Sequence, residues 1–268
     1  TPMIPEWRLQ MMANYIFRNY LTEKDMKYDE IWNTEFLVLM SQKNTNVVKN
    51  LALIMDGNGR WAEQRGLPRS EGHTAGIRRM LSLTSHAFSR GVQSVICYSL
   101  STENLSRSKE EVAHIFQLIP QYADQFVAAC QKLGVAVRFV GNLSLLPEEV
   151  RGSMANTEQR TQSCSTENKT LYVAVAYGSR AEIVNAVNAA VAKGQPVTEQ
   201  SFLQSLYYAE QPDLVVRTGG KRRLSNFALY QLSYSELYFS DKLFPDFTED
   251  DLDAALDYYA AVERTFGK

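Results

Sequence analysis

Six short apolar runs, separated by polar turns and amphipathic stretches, constrain the fold of this chain more than any other feature. They read "LALIM" (51–55), "VQSVICYSL" (92–100), "VAVRFVG" (135–141), "TLYVAVAYG" (170–178), "DLVVRT" (213–218) and "ELYFS" (236–240). Runs of this length, rich in Val, Ile, Leu and Tyr, have strand character. Most are unbroken rather than alternating, so both strand faces must be covered. Between them lie helical patterns over 73–91, 108–134, 146–162 and 180–194. The first stops at Gly91, a common helix C-terminal signal. Pro120 should kink or split the second, and Pro147 sits near the start of the third. Strands alternating with helices predict an α/β fold: a single domain with a central, mostly parallel six-stranded sheet flanked by helices.

The chain has 268 residues, and 45% of them are hydrophobic, enough to bury a sizeable core. Residues 1–48 stand apart. Ile4, Trp7, Met11, Met12, Tyr15 and Ile16 recur at helical spacing, which predicts a helix packed on the protein. Arg8, Arg18, Lys24 and Lys27 are offset by Glu6, Glu23 and Asp25, which argues against a membrane-surface helix. Residues 41–50 are polar and read as a linker, so the predicted boundaries are an N-terminal extension over 1–48 and the main domain over 49–268.

The formal net charge of −2 argues against a general nucleic-acid binder, which normally carries a basic surplus. Cys97, Cys130 and Cys164 are odd in number and lack CxxC spacing, so they suggest neither a disulfide frame nor a zinc centre. A reducing, cytoplasmic setting is expected. No stretch approaches the ~20 apolar residues of a membrane span, and no signal peptide is expected.

In parallel sheets ligands sit beyond the carboxyl ends of the strands. After the first run come Asp56, Gly57, Asn58, Gly59 and Arg60. After the second come Ser101, Asn104 and Arg107; after the fifth, Arg217, Arg223 and Ser225; after or within the sixth, Glu236. Gly57-Asn58-Gly59 between a strand and a helix can offer backbone N–H groups to an anion. Arg60, Arg69 and Arg107 can add charge-assisted hydrogen bonds to it. Arg217 and Arg223, with the Ser225 hydroxyl, make a second cationic turn. Two such turns predict two phosphorylated substrates. Asp56 would repel a phosphate directly, but Mg2+ resolves the conflict, because it takes one or two carboxylates together with phosphate oxygens. Each piece is weak by itself: Asp-Gly and Asn-Gly are ordinary turn dipeptides, and a lone His73 or Asn104 is more often structural. "GGKRRLS" does not have P-loop spacing.

Taken together, "IMDGNGRWAEQRGLPRSEGHTAG" (54–76), "STENLSRSKEEV" (101–112), "AYGSRAEIVNAV" (176–187) and "PDLVVRTGGKRRLSNFALYQLSYSELYFSDKLFPDFTEDDLDAAL" (212–256) resemble the cis-prenyltransferase family, typified by undecaprenyl diphosphate synthase. The resemblance runs over roughly residues 49–268. It implies condensation of isopentenyl diphosphate onto an allylic diphosphate with formation of a Z double bond, by a homodimer. It further implies that Asp56 holds Mg2+ on the allylic diphosphate, and that Gly57, Asn58, Gly59, Arg60, Trp61, Arg69, His73 and Arg107 bind that substrate. Arg217, Arg223 and Ser225 would bind isopentenyl diphosphate. Glu236 matches a metal-associated acid, Ser101 and Asn104 match positions linked to proton removal, and Glu111 matches an acid at the site entrance. A lipid product of undecaprenyl length would imply transient peripheral membrane contact. Cys97, Leu100, Val112, Ile115, Phe116 and Ile119 are candidates for an apolar tunnel around the growing chain, although each could equally be ordinary core.

The chain departs from the family pattern at Asn50 (usually His), Leu100 (Phe), Leu105 (Trp), Ser108 (Pro), Lys221 (Glu) and Thr265 (Arg). The first four are expected around the allylic pocket and leave the starter and product length open. Lys221 reverses a charge near the expected isopentenyl site, where each unit of charge is worth roughly 2 kcal/mol at ~8 Å and an effective dielectric of ~20 before screening. The default expectation is undecaprenyl diphosphate made from farnesyl diphosphate. A short-chain or irregular-coupling synthase is the alternative. A non-catalytic partner subunit of the same fold is disfavoured by retention of the metal and phosphate residues.

Overall fold

The computed structural model describes residues 46–164, 169–194 and 196–263. The expected helix over 4–20 and the Thr265 departure lie outside the described residues. Six strands form one sheet: β1 (Asn50–Ile54), β2 (Ser94–Ser101), β3 (Val135–Val140), β4 (Lys169–Tyr177), β5 (Leu214–Arg217) and β6 (Glu236–Phe239). Their order is β3-β4-β2-β1-β5-β6, and every neighbouring pair is parallel.

The helices are α1 (Asn58–Glu63), α2 (Arg69–Ser89), α3 (Lys109–Leu133), α4 (Glu148–Thr161), α5 (Ser179–Lys193), α6 (Glu199–Leu203) and α7 (Glu249–Ala261). Periodicity alone does not reveal α1, α6 or α7. The first two are one turn or little more, too short to show a period. The α7 stretch opens on Glu249, Asp250 and Asp251, which mask its apolar face, while Thr248 and Asp251 form a capping box at its start. Helix α3 is not split at Pro120. The proline removes one hydrogen bond, but buried Leu118, Tyr122 and Phe126 hold the turns on either side against the protein. The polar segment before β1 is shorter than the linker expected over 41–50: Val48 is buried and Asn50 already belongs to β1.

Strand alternation distributes the core over both faces of the sheet. Leu51 and Leu53 of β1, Val95 and Cys97 of β2 and Leu214 and Val216 of β5 face one side, with Leu83, Phe126, Met154 and Leu252 of the helices. Ala52, Ile54, Ile96, Tyr98 and Val215 face the other, with Tyr177, Tyr208 and Phe227. Full burial of a Leu such as Leu51 or Leu83 stabilises by roughly 1.5–3 kcal/mol relative to exposure. Among the described residues no helix is long and apolar enough to cross a membrane.

Strand order also locates the functional crevice. From β1 the chain leaves toward β2, whereas from β5 it leaves toward β6 on the opposite side. The adjacent carboxyl ends of β1 and β5 therefore diverge, and such a switch point opens a cleft.

Candidate functional site

A cavity of ≈ 250 Å³ occupies this cleft. Its walls come from the end of β1 (Ile54 to Arg60), the start of α2 (Arg69, His73), the end of β2 and its following turn (Tyr98, Ser99, Ser101, Asn104, Arg107), and β5 with its loop (Arg217, Arg223, Ser225). Of the site residues expected from the sequence, all line it except Trp61, Glu111 and Glu236.

Asp56 stands at the centre, just past β1, and is the only acid among the lining residues. Its Oδ1 accepts a hydrogen bond from Arg60 Nη2 (3.1 Å) and its Oδ2 one from Arg217 Nη2 (2.9 Å). The backbone carbonyl accepts from Thr218 Oγ1 (2.8 Å), which ties the β1 loop to the β5 loop. Gly57 follows with φ 117°, a left-handed conformation that a side chain would strain. An added Cβ would also lie 2.9 Å from Leu243 Cδ2, so no larger residue fits the turn that starts α1.

The cationic wall on the β2 side is gathered by Glu111, in the first turn of α3. Its Oε1 is 2.9 Å from both His73 Nε2 and Arg107 Nη1, and its Oε2 is 3.3 Å from Arg69 Nε. The Arg69 guanidinium also pairs with Glu63 at 2.5 Å. Ser108 caps α3 by accepting from the Glu111 N–H, which orients that turn. Burial would raise the Glu111 carboxyl, but the His73 hydrogen bond and the charges of Arg107 and Arg69 outweigh it and hold the group below the usual glutamate range. Burial depresses His73 against the pull of Glu111. Three groups suited to an anion thus share one internal carboxylate.

On the β5 side, Arg217 is buried and pairs with Asp56 through one nitrogen. Its Nη1 donates to the Arg223 carbonyl and to Ser225 Oγ (2.8 Å), while Arg223 Nε donates to the same hydroxyl (3.3 Å). Arg217 Nε is buried without a hydrogen-bond partner. An orphan donor of this kind suits an acceptor-rich ligand entering the cavity. Ser101 and Asn104 hold each other: Ser101 Oγ accepts from the Asn104 N–H (3.1 Å), and Asn104 Oδ1 accepts from the Ser101 N–H (3.3 Å).

Two expected residues lie elsewhere. The Trp61 indole donates to Asp246 Oδ1 (2.7 Å), and the Arg65 guanidinium covers its ring at 4.3 Å. Glu236 is the first residue of β6 and pairs in register with Leu214, whereas Arg217 pairs with Phe239. In a parallel pair this puts Glu236 at the amino edge of the sheet, the end away from Asp56. Tyr98, Ser99 and Met55 line the cavity but carry no signal in the sequence, where they read as interior strand residues. What exposes Ser99 is a register irregularity in β2 between Tyr98 and Leu100, which is invisible without the pairing.

Ser99 also borders a second, apolar cavity of ≈ 50 Å³ between the sheet and helices α2 and α3. Met80, Leu118, Ile119, Tyr122, Phe126 and Phe139 are among its walls. Of the tunnel residues expected from the sequence only Ile119 lines it; Cys97, Leu100 and Ile115 are closed core. The face of α3 turned to the cavity carries Leu118, Ile119, Tyr122 and Phe126. Asn50, Leu100, Leu105, Ser108 and Lys221 do not line the polar cavity either. Asn50 sits at the amino end of β1, where its N–H donates to Asp213 Oδ2 (2.8 Å), so it is remote from the pocket it is expected to border.

Known proteins resemble this chain over most of its length. Residues 54–267 match the family model described as putative undecaprenyl diphosphate synthase. The chain is 40% identical over 224 residues to an isoprenyl transferase of Fusobacterium nucleatum, covering 83% of this chain and 96% of that protein. It is also 40% identical over 228 residues to an isoprenyl transferase of Thermotoga maritima, covering 82% and 97%. The structure of lavandulyl diphosphate synthase from Lavandula x intermedia, in complex with dimethylallyl diphosphate, is similar with TM-score 0.76 and 33% identity, covering 83% of this chain and 99% of that one. A probable undecaprenyl diphosphate synthase from Campylobacter jejuni gives TM-score 0.72 and 32% identity, covering 83% and 100%.

Proposed function

This chain belongs to the undecaprenyl diphosphate synthase family of prenyltransferases, and from that premise we propose that its cleft binds an allylic diphosphate against Arg60, Arg69, His73 and Arg107, and isopentenyl diphosphate against Arg217, Arg223 and Ser225. The carrying observation is Asp56, the one acid of the cavity, held between Arg60 and Arg217 where the two cationic walls meet. The donor set fits Mg2+, which asks for one or two carboxylates and completes its shell with phosphate and water. Asp56 would hold the ion, and when bound it supplies Lewis-acid stabilisation of charge on the departing diphosphate.

The remaining work falls to the protein's own groups. Arg60, Arg69 and Arg107 spread the negative charge that grows on the leaving diphosphate as the allylic carbon becomes cation-like. Arg217 and Arg223 hold the second substrate so that its double bond faces that carbon, and the Ser225 hydroxyl orients it. A proton is then lost from the new chain. Asn104 is too weak a base to take it, so the Ser101–Asn104 pair positions that step and the released diphosphate accepts the proton. Residues 49–268 would form the catalytic domain. Homodimer formation is supported by β6, a sheet edge with Tyr234, Leu237 and Tyr258 exposed on or near it. A cytoplasmic enzyme with transient membrane contact is the corresponding setting.

Undecaprenyl diphosphate from farnesyl diphosphate is the product reading that the family model favours. The apolar cavity favours a shorter one. At ≈ 50 Å³ it has room for about three to five water-sized groups, near a single isoprene tail and far from a long chain. The test is incubation with Mg2+, labelled isopentenyl diphosphate and a series of allylic diphosphates from dimethylallyl to geranylgeranyl, with product length read by mass spectrometry. No incorporation with any starter overturns the proposal. A long product with the farnesyl starter refutes the short-chain reading.

A further inference from the structure

The two walls of the cleft are joined by a contact that neither set of substrate residues contains. Glu103 lies on the turn that carries Ser101, Asn104 and Arg107. Its Oε1 accepts a hydrogen bond from Asn226 Nδ2 at 2.7 Å, and its Oε2 accepts from Thr102 Oγ1 at 3.2 Å. Asn226 follows Ser225, the hydroxyl that meets Arg217 and Arg223. Residues 103 and 226 are therefore each within a few positions of an anion-binding group, one on each wall.

Asn226 is anchored on a third element as well. Its Oδ1 accepts from the Arg180 N–H (2.9 Å), and its carbonyl accepts from the Ser179 N–H (2.8 Å) at the start of α5. Ser225 and Asn226 both have left-handed backbones, with φ 51° and 62°. Asn tolerates that region better than most residues, and Ser does not, so the Asn226 bonds are what keep the Ser225 hydroxyl turned toward Arg217. Beneath the junction lies Gly178. A Cβ there would sit 2.7 Å from Thr102 Oγ1 and 2.9 Å from Asn226 Nδ2, so any larger residue would push on the two side chains that meet Glu103.

We propose that the Glu103–Asn226 hydrogen bond is a positioning strut that couples the two diphosphate sites, so that filling one site raises affinity at the other. This rests on the two-substrate reading above. The physical basis is a shared rigid element: ordering one turn around its ligand orders the other turn through the strut, and the second ligand meets a wall already in place.

The test uses an unreactive thiolo analogue of an allylic diphosphate with Mg2+, titrated calorimetrically with and without saturating isopentenyl diphosphate. In the unmodified protein the second ligand is expected to tighten the first by ~5-fold or more, the lower end of typical coupling. Glu103 is exposed, so Glu103→Ala is expected to fold, with thermal unfolding as the check. In that variant the ratio should fall to near one while each ligand still binds alone. Glu103→Gln keeps an acceptor for Asn226 and should restore most of the coupling. Asn226→Gly keeps the left-handed backbone but deletes the strut together with the Arg180 anchor, so its ratio should also fall to near one while isopentenyl diphosphate alone binds more weakly. The proposal is overturned by a ratio of one in the unmodified protein, by undiminished coupling in Glu103→Ala, or by a Gln variant as uncoupled as Ala. Failure of either ligand to bind the unmodified protein would instead overturn the two-substrate reading.

Discussion

Arg217 and Asp56 meet across the gap between β5 and β1, with Arg217 Nη2 2.9 Å from Asp56 Oδ2. They are 161 positions apart in sequence. The pair spans the switch point of the sheet, so one contact joins the loop expected to take the allylic diphosphate to the strand expected to take isopentenyl diphosphate. The Arg217 side chain is 4% exposed and that of Asp56 29%. The arginine is thus committed by burial, while the carboxylate still faces the cavity and can exchange partners.

Replacement of Asp56 separates its two roles. Asp56→Asn keeps the shape and a polar contact to Arg217 but removes the charge that would hold Mg2+. Turnover is expected to fall by roughly 10²–10³-fold, the scale of losing one strong transition-state interaction. Asp56→Ala should be equally inactive and also less stable, because a buried guanidinium loses its partner. Steady-state turnover across a Mg2+ titration, with thermal unfolding alongside, checks both. Full activity in either variant refutes the metal assignment.

Acid should destabilise the Glu111 cluster in two stages. His73 is depressed from 6.5 by burial, so the unfolded chain binds more protons and stability is lost as pH falls below about 6.5. Glu111 is depressed from 4.5, so its contribution is present above that value and lost as pH falls through its folded value. Both signs point the same way. Glu111→Gln should abolish the second stage, and His73→Gln the first. Midpoints of urea unfolding measured from neutral pH down to about pH 3 read both stages. An unchanged profile in Glu111→Gln would show that the ion cluster carries no stability.

Opening the apolar cavity should lengthen the product. Phe126 is 7% exposed and forms part of the cavity wall. Phe126→Ala removes most of a ring and should cost up to about 3–5 kcal/mol of stability. Product length by mass spectrometry is expected to shift upward with the same starter. An unchanged product would mean that the chain exits by another route.

Trp61 offers a contrast between family pattern and geometry. Its indole faces Asp246 and Arg65 rather than the cavity. Trp61→Phe should therefore leave KM for both substrates unchanged. Stability should drop by about 0.5–1.5 kcal/mol, the usual value of a lost hydrogen bond. A large rise in KM for the allylic substrate would restore Trp61 to the binding site.

Much of the site is legible in the sequence because its residues follow strands. Asp56 to Arg60, Ser101 to Arg107 and Arg217 to Ser225 each lie just after an apolar run, and parallel strands bring all such ends to one edge. The same rule misplaces Glu236, because that residue begins its strand rather than ending it. Tyr98 and Ser99 escape it because an irregularity in β2 pairing, not composition, turns Ser99 outward. Of the tunnel candidates on α3 only Ile119 borders the apolar cavity, since the angle at which a helix docks is not written in its sequence.

By itself the sequence determined most elements and the chemistry: six apolar strands, the four longest helices between them, and clusters of cations with Asp56 and Glu236. Those follow from local quantities, namely periodicity, turn residues and charge. Only the tertiary structure decided which clusters meet. The order β3-β4-β2-β1-β5-β6 puts β1 beside β5, and that adjacency brings Asp56 to Arg217. It equally sets Glu103 against Asn226 and gathers His73, Arg69 and Arg107 on Glu111. Such pairings depend on strand order and helix docking, which arise from burial summed over the whole core and leave no local trace in the chain.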